Sequence, residues 1–347
     1  MALTSAGADA TRIYDELLVT TAEHIHPGIV ENAIDNSPAT SIFLGKIGAA
    51  LNGAIGEDNT PAAAGAEAVT GESIRVNVKL GKNDSFRWLS SGFGEISLDT
   101  SDTARGSRAN FKLGAGSVVI DGSTLRKNSG AAQIASILRH KQDDTVSSMV
   151  DYVGDALLAS SASPNAITSL LEIISANDEI QSLNGQTFTN WNSRGVSDKG
   201  TAPGSISFAS GSFASQGISD FRAAYMNAEE GSIKPNVILT TDSIYRFYEG
   251  SLTSNVRFED LRVGDMSFTQ LRFKDAPIFH DPKVPSGTAL FLNTDFIGMK
   301  HLPGALFDIS PMERGNNQDA FVAPVLFEGQ LCCSARKYQN KLTGITA

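Results

Sequence analysis

The chain has little of what marks a disulfide-built, membrane-spanning or metal-dependent protein. Its only cysteines, Cys332 and Cys333, are adjacent within 347 residues, so no disulfide framework can be drawn. A reducing cytoplasm is the expected setting. No apolar run approaches the ~20 residues needed to cross a bilayer. The opening MALTSAGADATRIYDELL lacks a basic region followed by an apolar core, so a signal peptide is not expected. Without secretion, the glycosylation-like Asn83-Asp84-Ser85 carries no information. Charge is sparse as well, at 19% of residues against the roughly 25% usual for soluble domains. The formal net charge is −10, which argues against a protein that binds DNA by neutralising phosphates.

What is present is enough apolar sequence for a sizeable core: 41% AVILMFWYC, with 32 glycines and many Ser, Thr, Ala and Asn. That is ample for one or two domains. Low charge on so large a surface suits a protein that buries much of itself against other copies of the same chain. Residues 1–71 hold two short helical patches, one with Tyr14, Leu17, Leu18 and Ile25 and the other with Ile42, Phe43, Ile47, Leu51 and Ile55, followed by a Gly/Ala/Pro-rich connector at 57–71. Neither patch is long enough to be stable alone. Residues 72–127 read as a long two-stranded excursion. Ile74, Val76, Val78 and Leu80 lead out, and Phe111, Leu113, Val118 and Ile120 lead back around a polar, Gly-rich tip at 90–108. Such an excursion needs a partner surface to be stable.

Next comes VVIDGSTLRKNSG at 118–130, a strand, an Asp-Gly turn and an Asn-Ser-Gly stop. One long helix is expected over 131–160, capped by Ser129 and ended before Pro164. Its apolar side holds Ile134, Ile137, Leu138, Val146, Met149, Val150, Val153, Leu157 and Leu158 at three- and four-residue steps, opposite Arg139, Lys141, Asp143, Asp144, Asp151 and Asp155. Short helices are expected around 167–174 and 217–231, a buried strand at 237–240, and a helix capped by Asp242. A long Ser/Gly/Thr/Asn stretch at 186–215 contains Trp191. Later, FKDAPIFHDPKVPSGTALFLNTDFIGMK at 273–300 reads as strand, tight turn and strand, and 321–335 and 341–345 as further strands around the polar loop 314–319.

The strand and turn wording of 273–300, together with the Asp-Gly turn, stop and long helix upstream, resembles the major capsid proteins of tailed double-stranded-DNA bacteriophages. The resemblance implies an α+β fold covering the whole chain. Its parts would be an amino-terminal arm (1–71), an extended β-hairpin loop (72–127) lying across an adjacent subunit, a peripheral-domain spine helix (128–164), an axial domain (165–275), and late strands (276–347) completing both domains. It implies hexamers and pentamers of this chain in an icosahedral head around phage DNA, held without sequence-specific contact. A scaffold protein, a portal protein and decoration proteins would be partners, with assembly in the host cytoplasm and residence in the virion. The charged amino-terminal scaffold segment of some members is not evident, so a separate scaffold, or its earlier removal, is expected. An encapsulin-type compartment shell is the alternative with the same fold.

Candidate chemistry is thin, and no catalytic, cofactor or metal site is assigned. His24 and His26 lack further ligands at a metal spacing and read as surface or capping residues. His280-Asp281 is the one acid/base pair on which an α+β enzyme could rest, but no nucleophile motif accompanies it. Asp143 and Asp144 read as a solvated helix face, and Gly92-Phe93-Gly94 and Gly114-Ala115-Gly116 lack the context of a dinucleotide site. Cys332 and Cys333 read as buried apolar thiols. Some capsid proteins crosslink a loop lysine to an asparagine, which would place Lys79, Lys82 or Lys112 against Asn316 or Asn317. Ordinary solvated lysines are the expectation.

Overall fold

The computed structural model describes residues 37–44, 66–83, 85, 86, 88, 92, 102–127, 137–161, 163–175, 178–193, 206–207, 213, 217–252, 271–315 and 319–345. The expected first arm helix, His24, His26, the Ser129 cap, Asn316 and Asn317 lie outside these residues.

Two sheets share one core. The first has β1 (Glu67–Ala68), β12 (Ile297–Ile309), β14 (Ala320–Cys333), β13 (Glu313–Arg314) and β4 (Lys112–Asp121). Strand β14 is its axis. On one edge it pairs antiparallel with β12 from Ile297↔Cys333 to Ile309↔Val325, and on the other with β4 in unbroken register from Ala320↔Asp121 to Gly329↔Lys112. The β12 ladder shifts register between His301 and Asp308, where Gly304 and Phe307 take positive φ (72° and 54°). A bulge there bends a strand too long to stay flat. The second sheet runs in the order β7 (Ile206–Ser207), β15 (Asn340–Thr343), β11 (Ala289–Leu292), β8 (Val237–Thr240), β10 (Ala276–His280) and β9 (Arg272–Phe273). Strands β8 and β10 are parallel, so a crossover must join them. That connection contains α6 (Asp242–Ser251).

The long helix α3 (Ile137–Leu158) packs on β4, β12, α1 (Pro38–Leu44) and α4 (Leu170–Ile173). Val146, Met149, Val150, Val153 and Leu157 face this core, while Asp143, Asp144 and Asp155 are exposed, as the spacing predicts. Leu138 was expected inward too, but its side chain is not among those described. The approach to β4 is close: a Cβ on Gly116 would stand 2.6 Å from the Met149 sulfur. A second cluster, around Phe213, Phe221, Tyr225, Tyr248, Phe273 and Phe291, joins α5 (Ile218–Ala228) and α6 to the second sheet.

Three expectations are corrected. The returning arm of the hairpin is not Phe111–Ile120. It is the polar strand β3 (Ala104–Asn110), which pairs with β2 (Ser73–Lys79) from Ser73↔Asn110 to Lys79↔Ala104. The apolar alternation of β4 serves burial of Val118 and Ile120 beside α3 instead, while β3 buries only Ser107 and Ala109. Second, ALFLNTDFIGM is two strands: Asn293–Phe296 break it, and β11 and β12 join different sheets. Third, Asp242 does not cap α6; Thr241 occupies that position and Asp242 pairs with Arg246 at 2.7 Å.

Val146 is 6% exposed in the α3 face that meets the core, so Val146→Asp strands a carboxylate among apolar groups. The expected cost is several kcal/mol out of roughly 5–15 kcal/mol for the domain. Asp144→Ala on the opposite face should stay within about 0.5 kcal/mol of the wild type. Urea unfolding of both variants measures the contrast, and equal shifts would contradict this orientation of the helix.

Candidate assembly surfaces

The β2–β3 hairpin is the element least explained by the core beneath it. Its base rests on β14 through Ile74, Ala109 and Cys332, and its middle on Leu183 and Trp191 through Val78. The brace beneath it is a segment at 179–184 for which sequence patterning expects no element. Strands β5 (Glu179–Ile180) and β6 (Leu183–Asn184) form a miniature hairpin whose turn residues Gln181 and Ser182 both have positive φ, at 54° and 61°. Both backbone groups of Arg108 are held there: its N–H donates to the Gln181 carbonyl at 2.8 Å, and its carbonyl accepts from Ser182 Oγ at 3.2 Å. Asn190 Nδ2 then donates to the Leu80 carbonyl at 2.9 Å. Left-handed backbone at two non-glycine residues is costly. A Gly-poor turn gives no sequence signal for such a hairpin.

Beyond Leu80 the described rings lie largely in solvent. Phe86 and Trp88 stand edge to face at 5.3 Å between centroids, 73% and 90% exposed. The first sheet also leaves apolar surface open on the side away from the core. Leu113 is 65% and Val119 48% exposed on β4, with Val322, Pro324 and Leu326 beside them on β14. A groove of about 300 Å³ follows the seam between β4 and α3, with Met149, Tyr152, Val153 and Ala156 on the helix side and Leu113 and Phe327 on the sheet side. Exposed apolar area of this kind marks an interaction surface. β4 is also an edge strand: among the described residues nothing pairs with the side facing away from β14.

Among the described residues singled out for chemistry, Asp281 takes a structural role. Asp281 is fully buried and accepts from Ser37 Oγ at 2.5 Å, the Ala39 N–H at 3.0 Å and the Lys283 N–H at 2.9 Å. It fixes the start of α1 to the end of β10. His280 points the other way, exposed against the Tyr245 ring. The pair therefore converges on no common site. Lys283 bonds Asp151 and, at 2.7 Å, Asp155, so these two carboxylates are anchored to the β10–β11 connection and are not merely solvated. Burial by itself would lower the Lys283 pKa, but the two carboxylates outweigh it and raise it. Burial pushes the Cys332 thiol up to about 11 and the Cys333 thiol to about 12, which leaves both inert. Lys79 and Lys82 are exposed, and Lys112 donates to the Pro164 carbonyl at 2.6 Å. Among the described residues no group of three His, Cys, Asp or Glu could hold a metal, and no helix is long and apolar enough to cross a membrane.

No family model matches the chain, and no curated protein matches it by sequence. Solved structures do. The capsid asymmetric unit of cyanophage A-1(L) is similar over 94% of this chain and 98% of its own, with a TM-score of 0.62 at 14% identity. The capsid of the empty GTA particle matches over 99% and 100%, at 0.54 and 13%. The holo-SrpI encapsulin complex from Synechococcus elongatus PCC 7942 matches over 99% and 96%, at 0.57 and 11%. At such identities the likeness is one of fold: the chain has the α+β fold of phage capsid proteins along nearly its whole length.

Because Asp281 satisfies one hydroxyl and two backbone N–H groups out of water, Asp281→Ala should cost about 2–4 kcal/mol. His280→Ala should cost less than about 0.5 kcal/mol. Thermal unfolding of the two variants side by side checks this, and a tolerant Asp281 would contradict its role as the tie for α1.

Proposed function

We propose that this chain is the major capsid protein of a tailed double-stranded-DNA bacteriophage, assembling as hexamers and pentamers into the icosahedral head. The observation that carries this reading is a whole-length capsid fold in which the hairpin is braced at its base and leaves Phe86 and Trp88 exposed beyond it. A monomer gains nothing from holding Phe86 and Trp88 in water. A shell subunit gains a reach onto its neighbour. At about 3.3 Å per residue, the seven-residue β2 carries that reach roughly 20 Å from the hairpin base. The open face of β4 and β14 adds apolar area for further contacts between copies.

The net charge of −10 fits a container whose wall does not hold its DNA by phosphate neutralisation. Scaffold, portal and decoration proteins belong to this reading as partners, with assembly in the host cytoplasm and the head of the virion as the final location. No catalytic role is proposed, since the inward Asp281 and outward His280 serve packing and surface. An encapsulin-type shell is the second reading, supported by the match to SrpI. The two differ in contents. Particles isolated from the cells that carry the gene should protect double-stranded DNA from nuclease; protein cargo with no protected DNA would favour the compartment shell.

Replacing residues 82–102 by a short Gly-rich turn leaves β2, β3 and their braces in place. The shortened chain should keep the wild-type unfolding temperature and form no closed particles by negative-stain microscopy. Normal shells from it would contradict the role given to the hairpin.

A further inference from the structure

The hairpin brace is built over a buried positive charge. Arg336 is 0% and Trp191 2% exposed, and the guanidinium lies over the indole ring with Cζ 5.8 Å from its centre. Nε and Nη2 of Arg336 are taken by the Ile173 carbonyl and by Ser175. Its Nη1, and the Nε1–H of Trp191, meet no acceptor among the described residues. Both atoms can only donate, and both are shut off from solvent. Two such donors in one packed contact call for an acceptor.

The charge count says what kind. Lys341 is turned inward onto the Leu171 carbonyl at 3.1 Å and stands close enough to Arg336 for the two cations to repel. Burial lowers the pKa of both side chains, that of Arg336 to about 10. The carbonyls of Leu171, Ile173 and Ser175, at the end of α4, accept hydrogen bonds from these cations but carry no formal charge. Asp178, itself exposed, is the described carboxylate whose charge acts on both. Lys337 next door is paired with Glu230, and the Cys333 thiol stays neutral because burial pushes it up to about 12. Two cations against one carboxylate leave a single positive charge over, in a place where an unpaired charge is costly.

We propose that a small monovalent anion of the chloride class seats between Arg336 Nη1 and Trp191 Nε1 and completes the neutralisation of this part of the core. A water molecule would accept from both donors but leave the charge as it stands. A divalent anion would overshoot the count and cost more to dehydrate. Trp191 packs with Val78 of β2 and Leu183 of β6, so the ion would stiffen the brace to which the hairpin is fastened. The site is complete within one chain. Its occupancy therefore does not depend on the shell reading, and either can fail without the other.

The chain has two tryptophans, so Trp88→Phe leaves Trp191 as the sole indole. In that variant, sodium bromide should quench the Trp191 emission along a saturating curve at an ionic strength held constant with sodium fluoride, and chloride should restore the emission by competition. An indole out of reach of solvent collisions is quenched in this way by a seated heavy anion. The wild-type chain should unfold roughly 2 °C or more higher in sodium chloride than in sodium fluoride. A general salt effect runs the other way, since strongly hydrated anions stabilise folded proteins. Trp191→Phe keeps a ring under the guanidinium and removes one donor. The chloride concentration at which the rise begins should then increase about tenfold or more, as loss of a hydrogen bond to a charged group does. Arg336→Gln should abolish the rise; if that variant does not fold, Trp191→Phe decides. Equal unfolding temperatures in the two salts, bromide quenching that is absent or does not saturate, or an unchanged chloride response in Trp191→Phe would each overturn the proposal.

Discussion

Everything in this fold hangs on one strand that is hydrogen-bonded along both edges. β14 holds β12 and β13 on one side and β4 on the other. Its residues from Gly329 to Cys333 are all buried, and the residues that follow carry the chain into the second sheet as β15. With both edges satisfied, its backbone cannot shift register without breaking two ladders at once. The consequence is a rigid plate against which α3 lies on one face, with Leu113, Val119 and Pro324 exposed on the other. The same core contains Leu239, Leu290 and Leu292 from the second sheet. The two sheets are therefore one mechanical body.

Buried polar clamps complete that body at the points where apolar packing cannot set direction. Arg336 is fully buried, donates from Nε to the Ile173 carbonyl at 2.7 Å and from Nη2 to Ser175, and lies over the Trp191 ring. Burial lowers its pKa to about 10, which still leaves it charged at neutral pH. Through Trp191 the clamp also supports the hairpin brace. The short segment Asp281–Lys283 acts as a second clamp, taking α1 with its carboxylate and α3 with its ammonium. Such groups are costly to bury and costly to leave unpaired, so they select one arrangement more than they deepen stability. For a shell subunit a single arrangement matters, because an error in the hairpin's direction repeats at every contact.

The parts of the fold that sequence made legible are those governed by local periodicity. The α3 stripe Val146, Met149, Val150 and Val153, the buried strand 237–240 and the helix over 218–228 follow from spacing alone. What stayed hidden depends on long-range pairing. Nothing local distinguishes Phe111–Ile120 as a sheet edge from the return of a hairpin; only its register against Phe321 and Val322 does. The polar β3 carries no apolar alternation because the residues on its covered face are the small Ser107 and Ala109. Asp281 looked like a member of an acid/base pair because its burial is created by Ser37 and Ala39, more than 200 residues away in sequence. Of the candidate contact surfaces, the polar excursion was readable and the groove between β4 and α3 was not, since Leu113 and Tyr152 meet only in three dimensions.

The central claim is that the body is built to be one of many, with contacts left open for identical neighbours. Cryo-electron microscopy of the purified wild-type chain over a range of concentrations measures this directly. The account predicts closed shells made of six- and five-membered rings, in which density for each hairpin continues onto the adjacent subunit. A monodisperse monomer or small soluble oligomer at every concentration would contradict it.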